Sequence, residues 1–256
     1  MLSYSPGTNA AHRLHPLTKL IAAVLIIIAA YSLPGLFTPL GLFGLLLLLA
    51  YLSGVARAYL RTTLLALLPI IISLFLIQGI LFPPANATTL AQLGPIRLTR
   101  EGLAFAFLTS TRLLAFSAAV LLVLRITHPA DLVFALTERG LPRSIGYILL
   151  VTLQIAPDMT ARAIAILEAQ RSRGLETQRG ILKVRAIFPL VGPLVVGALV
   201  DVEERAMALE SRAYTAPGPK TSLRELVDTP RQRIARWAML LAIAGLIIWR
   251  IFTALQ

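Results

Sequence analysis

The chain has no cysteine, so it builds no disulfide, no thiolate nucleophile and no thiolate metal site. It carries only three histidines, His12, His15 and His128, too few for a rich metal centre. It has no Gly-x-x-x-x-Gly-Lys-Ser/Thr loop, no Gly-x-Ser-x-Gly elbow and no His-Glu-x-x-His pair. A phosphate cradle, an activated serine and a zinc hydrolase site are therefore all unsupported by motif. Acids are scarce: 12 Asp+Glu stand against 24 Lys+Arg, for a net charge of +12. The basic residues are dispersed, with no basic run carrying interleaved aromatics, so nucleic-acid binding does not follow from the excess. A positive excess of this kind is ordinary for a membrane protein, whose cytoplasmic loops collect Lys and Arg.

What is present in quantity is apolar sequence. The 256 residues are 57% hydrophobic, with mean hydropathy +0.79, above the 45–50% apolar share of an ordinary soluble domain. No charge occurs from Leu20 to Ala56, a run too long for one span. Ser32-Leu33-Pro34-Gly35 and Pro39-Leu40-Gly41 divide it, since Pro and Gly together mark a turn. The pattern predicts two helices, about Leu17 to Tyr31 and Leu36 to Leu52. A third span is expected from about Thr63 to Phe82, stopped by Pro83-Pro84, and a fourth from about Gly102 to Leu124. Between them, Ala85 to Arg100 reads as a loop or short re-entrant piece. A last span runs from about Trp237 to Phe252, with Trp237 and Trp249 placed where indole favours the interface. The apolar run after His12, Arg13 and Lys19 is read as ending in no small-x-small cleavage site, and another apolar run follows almost at once, so the first apolar segment reads as a retained span.

His12, Arg13, Lys19, Arg57 and Arg61 fall on the side that also carries the polar segment after Arg125. The positive-inside bias then places the N-terminus and that segment in the cytoplasm and the C-terminus outside, with Arg97 and Arg100 as a minor exception. Arg112 and Gln78 are the strongly polar side chains evident at mid-span. An arginine at that depth is costly unless it snorkels, pairs or faces a cavity. A structural tether between helices is favoured over an ion path, because no acid lies inside any span.

The polar interruption holds sixteen of the 24 Lys+Arg and eleven of the 12 Asp+Glu, between Arg125 and Arg236. Its helical runs are expected near Pro129 to Arg139, Ser144 to Arg173 with Pro157 as a kink or restart, and Leu190 to Arg212. In the second run Ile155, Met159, Ala163, Ile166 and Gln170 share a face. In the third, Val195, Leu199, Val202, Ala206, Leu209 and Ala213 form a seam at spacings of three and four. Glu203, Glu204, Arg205 and Arg212 stay off that seam. The apolar half, Ala186 to Val200, is too short to span and suits a helix at the interface or beneath the membrane body. Both of these last runs end alike. Ala169-Gln170-Arg171-Ser172-Arg173-Gly174 and Ala208-Leu209-Glu210-Ser211-Arg212-Ala213 share the form Ala-x-x-Ser-Arg-small. An arginine in a final helical turn complements the macrodipole, which accounts for one such site. Two of them point to arginine forks held ready for carboxylates or carbonyls of a partner.

In order along the chain, these segments resemble the T component, the transmembrane coupling protein, of energy-coupling factor (ECF) transporters, the CbiQ/EcfT-like family. His15-Pro16-Leu17-Thr18-Lys19-Leu20 is similar to that family's Asp-Pro-Arg-Thr-Lys-Leu opening. Thr127-His128-Pro129-Ala130-Asp131-Leu132 with Gly140-Leu141-Pro142 resembles the segment leading into its coupling domain. Ala169-Gln170 with Ser172-Arg173-Gly174, and Ala206-Met207 with Ser211-Arg212-Ala213-Tyr214, resemble its two Ala-Arg-Gly motifs. Ser stands for Ala before both arginines, and Ala213 for Gly after the second, which puts the exit of that helix in question.

The resemblance implies an all-α integral membrane protein of about five transmembrane helices plus a cytoplasmic coupling domain of amphipathic helices. Residues 1–125 would form the membrane domain, 126–236 the coupling domain and 237–256 a final membrane helix. Ser172, Arg173, Gly174, Ser211, Arg212 and Ala213 would meet two ABC-type ATPase subunits, with Ala169, Gln170, Ala206, Met207 and Glu210 in support. The chain itself would hold no cofactor, ATP and Mg being bound by the ATPases. A membrane-embedded S component would supply the substrate, a vitamin or transition-metal ion, in a prokaryotic inner membrane. A stand-alone secondary transporter, expected to show internal hydropathy repeats and polar mid-span groups, and a membrane scaffold are the alternatives.

Overall fold

A computed structural model describes residues 12, 14–81, 88–93, 96–174, 187–214, 216–218 and 226–255. They fold into two compact units, residues 1–140 with 226–256, and residues 141–225. The first unit holds α1 (Pro16–Ser32), α2 (Thr38–Leu52) and α3 (Ala56–Leu76), which runs on as a π-helical turn, Ile77–Leu81. A β-hairpin of β1 (Thr89–Leu93) and β2 (Ile96–Thr99) follows, then α4 (Arg100–Ile126), α5 (Pro129–Glu138) and, from the far end of the chain, α8 (Pro230–Leu255). The second unit holds α6 (Arg143–Ser172) and α7 (Ile187–Ser211).

The predominantly helical membrane architecture matches the sequence reading, with several corrections. Ala85 to Arg100 is not a plain loop: β1 and β2 pair antiparallel, Gln92 opposite Arg97 and Leu93 opposite Ile96. Thr99 then caps α4, its Oγ1 accepting from the Gly102 N–H at 3.3 Å. α3 starts at Ala56 rather than Thr63, and α8 at Pro230 rather than Trp237. Pro at the first helical position fits an N-terminus, because its missing N–H would have no partner there. The Thr229 carbonyl accepts from the Gln232 and Arg233 amides at 3.0 and 3.2 Å. Pro157 lies inside a continuous α6 and neither breaks nor restarts it.

Among the described residues, four helices are long and apolar enough to cross a membrane: Ala56–Gly79, Arg100–Ile126, Arg143–Ser172 and Pro230–Thr253. α1 and α2, at 17 and 15 residues, rise only about 25 Å and 22 Å, short of a core of about 30 Å. α6 is among the four, so length and composition alone do not set it apart from the spans. It is the least apolar of the four and carries Arg143, Asp158, Arg162, Glu168 and Arg171.

α4 is the centre of the first unit. Ala106, Ala115, Ala118 and Ala119 on it are fully buried. Side chains this small let neighbouring helices approach closely, the packing available where lipid removes the usual hydrophobic drive. Leu114, Leu122 and Ile126 pack in one core with Phe43, Leu46 and Ala50 of α2 and Tyr59 and Leu67 of α3. The buried Tyr59 hydroxyl donates to the Ala118 carbonyl at 3.0 Å. Arg112 stacks over the Tyr31 ring at 5.6 Å, a cation–π contact from α4 to α1. The tether that the sequence favoured for this arginine is thus visible.

The opening motif ties one end of this unit together. His15 caps α1, its Nδ1 accepting from the Leu17 N–H at 3.3 Å, and the His15 N–H donates to Gln232 Oε1 at 2.8 Å. Lys19 Nζ donates to the Ile126 and His12 carbonyls at 2.7 and 3.0 Å, capping the end of α4 with a cation. Arg236 is buried. It donates to Thr18 Oγ1 at 3.3 Å and to Asp228 Oδ2 at 2.6 Å. Arg139 reaches the same carboxylate oxygen at 3.4 Å.

Burial holds the His15 imidazole below its ordinary 6.5, against the pull of the Asp228 carboxylate. The hydrogen bond from Arg236 holds the Asp228 carboxyl below its ordinary 3.8. Both folded-state values are depressed, so each contributes stability at neutral pH that is lost on acidification. The loss from His15 begins as pH falls below 6.5, and that from Asp228 below about 4. The thermal midpoint of the purified chain in detergent should therefore fall from pH 6.5 downward. His15→Asn keeps a cap acceptor that does not titrate and should flatten the first part of that fall. An unchanged slope in the variant contradicts the assignment.

Candidate functional site

The two Ser-Arg-small segments are helix C-termini of one stereochemical type. In α6, Arg173 is the C-cap residue and Gly174 adopts φ +89°, with its N–H donating to the Arg171 carbonyl at 2.9 Å. In α7, Ala213 adopts φ +52°. The Ala213 N–H donates to the Glu210 carbonyl at 2.9 Å, and the Tyr214 N–H to the Leu209 carbonyl at 3.0 Å. That pair of reversed bonds is a Schellman closure. Arg212 therefore occupies the same place before its left-handed residue as Arg173 does before Gly174. The exit that Ala213 had put in question is made, by an alanine held where glycine is usual. Ser172 and Ser211 turn their hydroxyls onto their own helices, donating to the Glu168 and Ala208 carbonyls at 3.1 and 3.0 Å. Arg173 and Arg212 are exposed, as are Ala169, Ala206, Met207 and Glu210, while Gln170 is half-buried.

α6 and α7 run antiparallel. Tyr147 near the start of α6 packs against Tyr214 beyond the end of α7, with ring centroids 5.4 Å apart and planes tilted by 46°. Further along, Arg162 forms a two-pronged pair with Asp201, Nη1 to Oδ2 at 3.0 Å and Nη2 to Oδ1 at 3.3 Å. The guanidinium lies across Gly197, where an added Cβ would come within 2.8 Å of Nη1. Ile155, Asp158, Met159, Arg162, Asp201, Glu204 and Arg205 line a cleft of about 340 Å³ between the helices. The structure therefore does not gather the two motifs into one pocket; it holds them at opposite ends of a helix pair.

The 39-residue offset between the tips recurs at the crossing. Arg173 lies eleven residues beyond Arg162, and Arg212 eleven beyond Asp201. Eleven residues rise about 16 Å and turn to within about 20° of a whole number of turns. Each tip arginine is thus equally far from the ion pair and on nearly the same face of its helix.

The seam predicted for α7 packs differently from expectation. Val195, Leu199 and Val202 are 50%, 60% and 62% exposed, while Gly197, Asp201, Glu204 and Arg205 turn toward α6. The charged crossing took the inner face and left the apolar seam outward. Sequence reasoning also missed Asp228, Gln232 and Arg236 as partners of the opening motif. Asp228-Thr229-Pro230 is a helix-start signal that could have moved the beginning of α8 forward.

A profile of the CbiQ family, described as a cobalt transport protein, matches residues 7–223. The chain belongs to the CbiQ family. The energy-coupling factor transporter transmembrane protein EcfT of Heliobacterium modesticaldum is 31% identical to it, over 96% of this chain and 93% of the relative. EcfT of Streptococcus equi is 30% identical over 87% and 86%. A putative ABC transporter ATP-binding protein of Bifidobacterium longum is 27% identical, over 96% of this chain but 32% of that protein. This CbiQ-family chain is accordingly a multi-pass membrane protein, similar along nearly its whole length to EcfT transmembrane components of transporters.

Two outcomes test the geometry. An L-residue in the left-handed region carries a steric cost of about 1 kcal/mol, so Ala213→Gly should raise the stability of this unit by up to about 1 kcal/mol. Ala213→Val, β-branched at the same φ, should lower it. A double-mutant cycle on Arg162→Ala and Asp201→Ala should give a coupling of roughly 0.5–1 kcal/mol, since both side chains are partly exposed. Zero coupling would remove the pair as the fixed point of the crossing.

Proposed function

We propose that the chain is the coupling subunit of an ECF-type importer. Arg173 and Arg212 dock the C-terminal ends of α6 and α7 onto two ABC-type ATPase subunits. The observation that carries this reading is that both helices end in a left-handed residue after the arginine, its N–H bonded to the carbonyl three residues back, eleven residues on either side of one ion-paired crossing. Two equivalent partners meet two equivalent tips. A guanidinium at a helix end can fork onto carboxylates or backbone carbonyls. The outward seam of Val195, Leu199 and Val202 leaves apolar surface for the same assembly. The Bifidobacterium protein adds support, because a region like this chain makes up about a third of a polypeptide named as an ATP-binding protein.

In this mechanism ATP and Mg bind the ATPase subunits. Their closure moves the two tips, and the helices, rigid and pinned at Arg162–Asp201, pass the motion to the membrane helices. Those helices act in turn on a membrane-embedded S component that carries a vitamin or transition-metal ion. α6 belongs with the cytoplasmic helices on this reading, since five charged residues make it a costly span.

The charge count supports a cytoplasmic N-terminus. Lys19, Arg57, Arg61, Arg125, Arg139, Arg231, Arg233 and Arg236 lie at the end of the first unit where α1, α3 and α8 begin and α4 finishes. Arg97, Arg100 and Arg250 lie at the other.

The test is assembly and uptake in the whole complex. Arg173→Ala and Arg212→Ala should each weaken co-purification with the ATPases about tenfold or more, given the strength of charge-assisted hydrogen bonds. The double variant should lose ATP-driven uptake. Arg→Lys at each tip keeps the cation at the helix terminus but loses the fork, so it should preserve stability and still weaken assembly. A double alanine variant that assembles and transports normally would overturn the proposal.

A further inference from the structure

Arg57 and Arg61 lie one turn apart at the start of α3, and Arg125 lies in the last turn of α4. Together with Ala58, Thr62, Leu65 and Ala66 they line an open groove of about 1130 Å³. Arg125 is anchored there by a 2.6 Å bond from its Nη2 to Thr62 Oγ1, while its buried Nε has no acceptor among the described residues. None of the ion pairs among the described residues involves these three arginines. α3 begins with neither a side-chain cap nor an acid in its first turn, so the positive end of its dipole adds to theirs.

The groove changes character along α3. Beyond Arg61 the same face continues as Leu65, Leu68, Ile72 and Leu76, which are 65%, 51%, 51% and 48% exposed. Residues 57, 61, 65, 68, 72 and 76 fall within about 100° of arc on the helix. A cationic mouth thus opens onto a continuous apolar track running along a helix long enough to cross the bilayer. The soluble ends of a membrane protein need no such track.

We infer that this groove binds an anionic phospholipid, with the headgroup phosphate between Arg57, Arg61 and Arg125 and an acyl chain along the Leu65–Leu76 face. The argument is charge complementarity joined to shape. Guanidinium forks suit phosphate oxygens, and basic pockets between membrane helices on the cytoplasmic side recognise acidic headgroups. The site belongs to the membrane unit alone and does not depend on the docking role of Arg173 and Arg212.

The experiment uses the full chain purified in mild detergent and exchanged into nanodiscs of mixed phosphatidylglycerol and phosphatidylcholine. Bound lipid is measured after extraction, and thermal midpoints are recorded with each lipid and with millimolar inorganic phosphate. Wild type should retain phosphatidylglycerol over phosphatidylcholine. Retention should fall about fivefold in Arg57→Gln and about 25-fold in Arg57→Gln/Arg61→Gln, from the contribution of each cation near the surface. Arg57 is exposed, so the single variant keeps the question answerable if the double variant fails to fold. Phosphatidylglycerol should raise the wild-type midpoint and inorganic phosphate should not. Equal retention of the two lipids, or undiminished phosphatidylglycerol in the variants, would overturn the proposal. Inorganic phosphate reproducing the shift would overturn the lipid assignment in favour of a phosphate site.

Discussion

The Arg162–Asp201 pair, laid across Gly197, is the contact on which the placement of both arginine tips depends. Gly197 matters because the guanidinium occupies the space a side chain would need. The fork holds both carboxylate oxygens, so it resists sliding and rotation more than a single bond would. Its contribution to stability is small at this degree of exposure. Its consequence for geometry is large: a shift of one residue at the crossing would turn a tip by about 100°.

The membrane unit is organised by a different constraint. α4 must be approached closely from several sides, and buried alanines allow it. Close packing leaves polar groups that lipid cannot satisfy, and the chain answers with long-range bonds. Tyr59 reaches the Ala118 carbonyl, Lys19 reaches the last carbonyl of α4, and Arg236 bridges Thr18 and Asp228. These bonds join segments more than two hundred residues apart in the case of Thr18 and Arg236. That explains why an opening motif of six residues carries so recognisable a sequence: three of its members are ties rather than lipid-facing surface.

Much of this was legible in the residues alone. Charge-free runs, Pro-Gly breaks and three- and four-residue spacings located the helices, because each reports a local constraint. The Ser-Arg-small echo located both tips for the same reason. What was not legible depended on partners distant in sequence. Nothing local says that Thr18 meets Arg236, or that α7 turns Asp201 inward and its valine–leucine seam outward. An apolar seam is normally the buried face; here a charged crossing displaced it, and periodicity cannot see such an exchange. The hairpin at β1 and β2 was missed because nine strand residues in a polar, turn-rich stretch give almost no period to read.

The offset of 39 residues links these strands of argument. It relates Ser172 to Ser211, Arg173 to Arg212, Gly174 to Ala213 and also Arg162 to Asp201. A repeated motif alone would fix only the chemistry of each tip. Repetition of the same interval at the crossing fixes the reach and facing of both arms as well. The two helices need not be alike elsewhere, and they are not: Asp158 stands opposite Gly197 in this alignment, and Arg171 opposite Glu210. What is held in common is the distance from pivot to tip and the left-handed turn that ends it. In α7 that turn is kept even with alanine in place of glycine. A single helix terminus needs no such match, whereas the proposed docking of two arms on a pair of equivalent partners does.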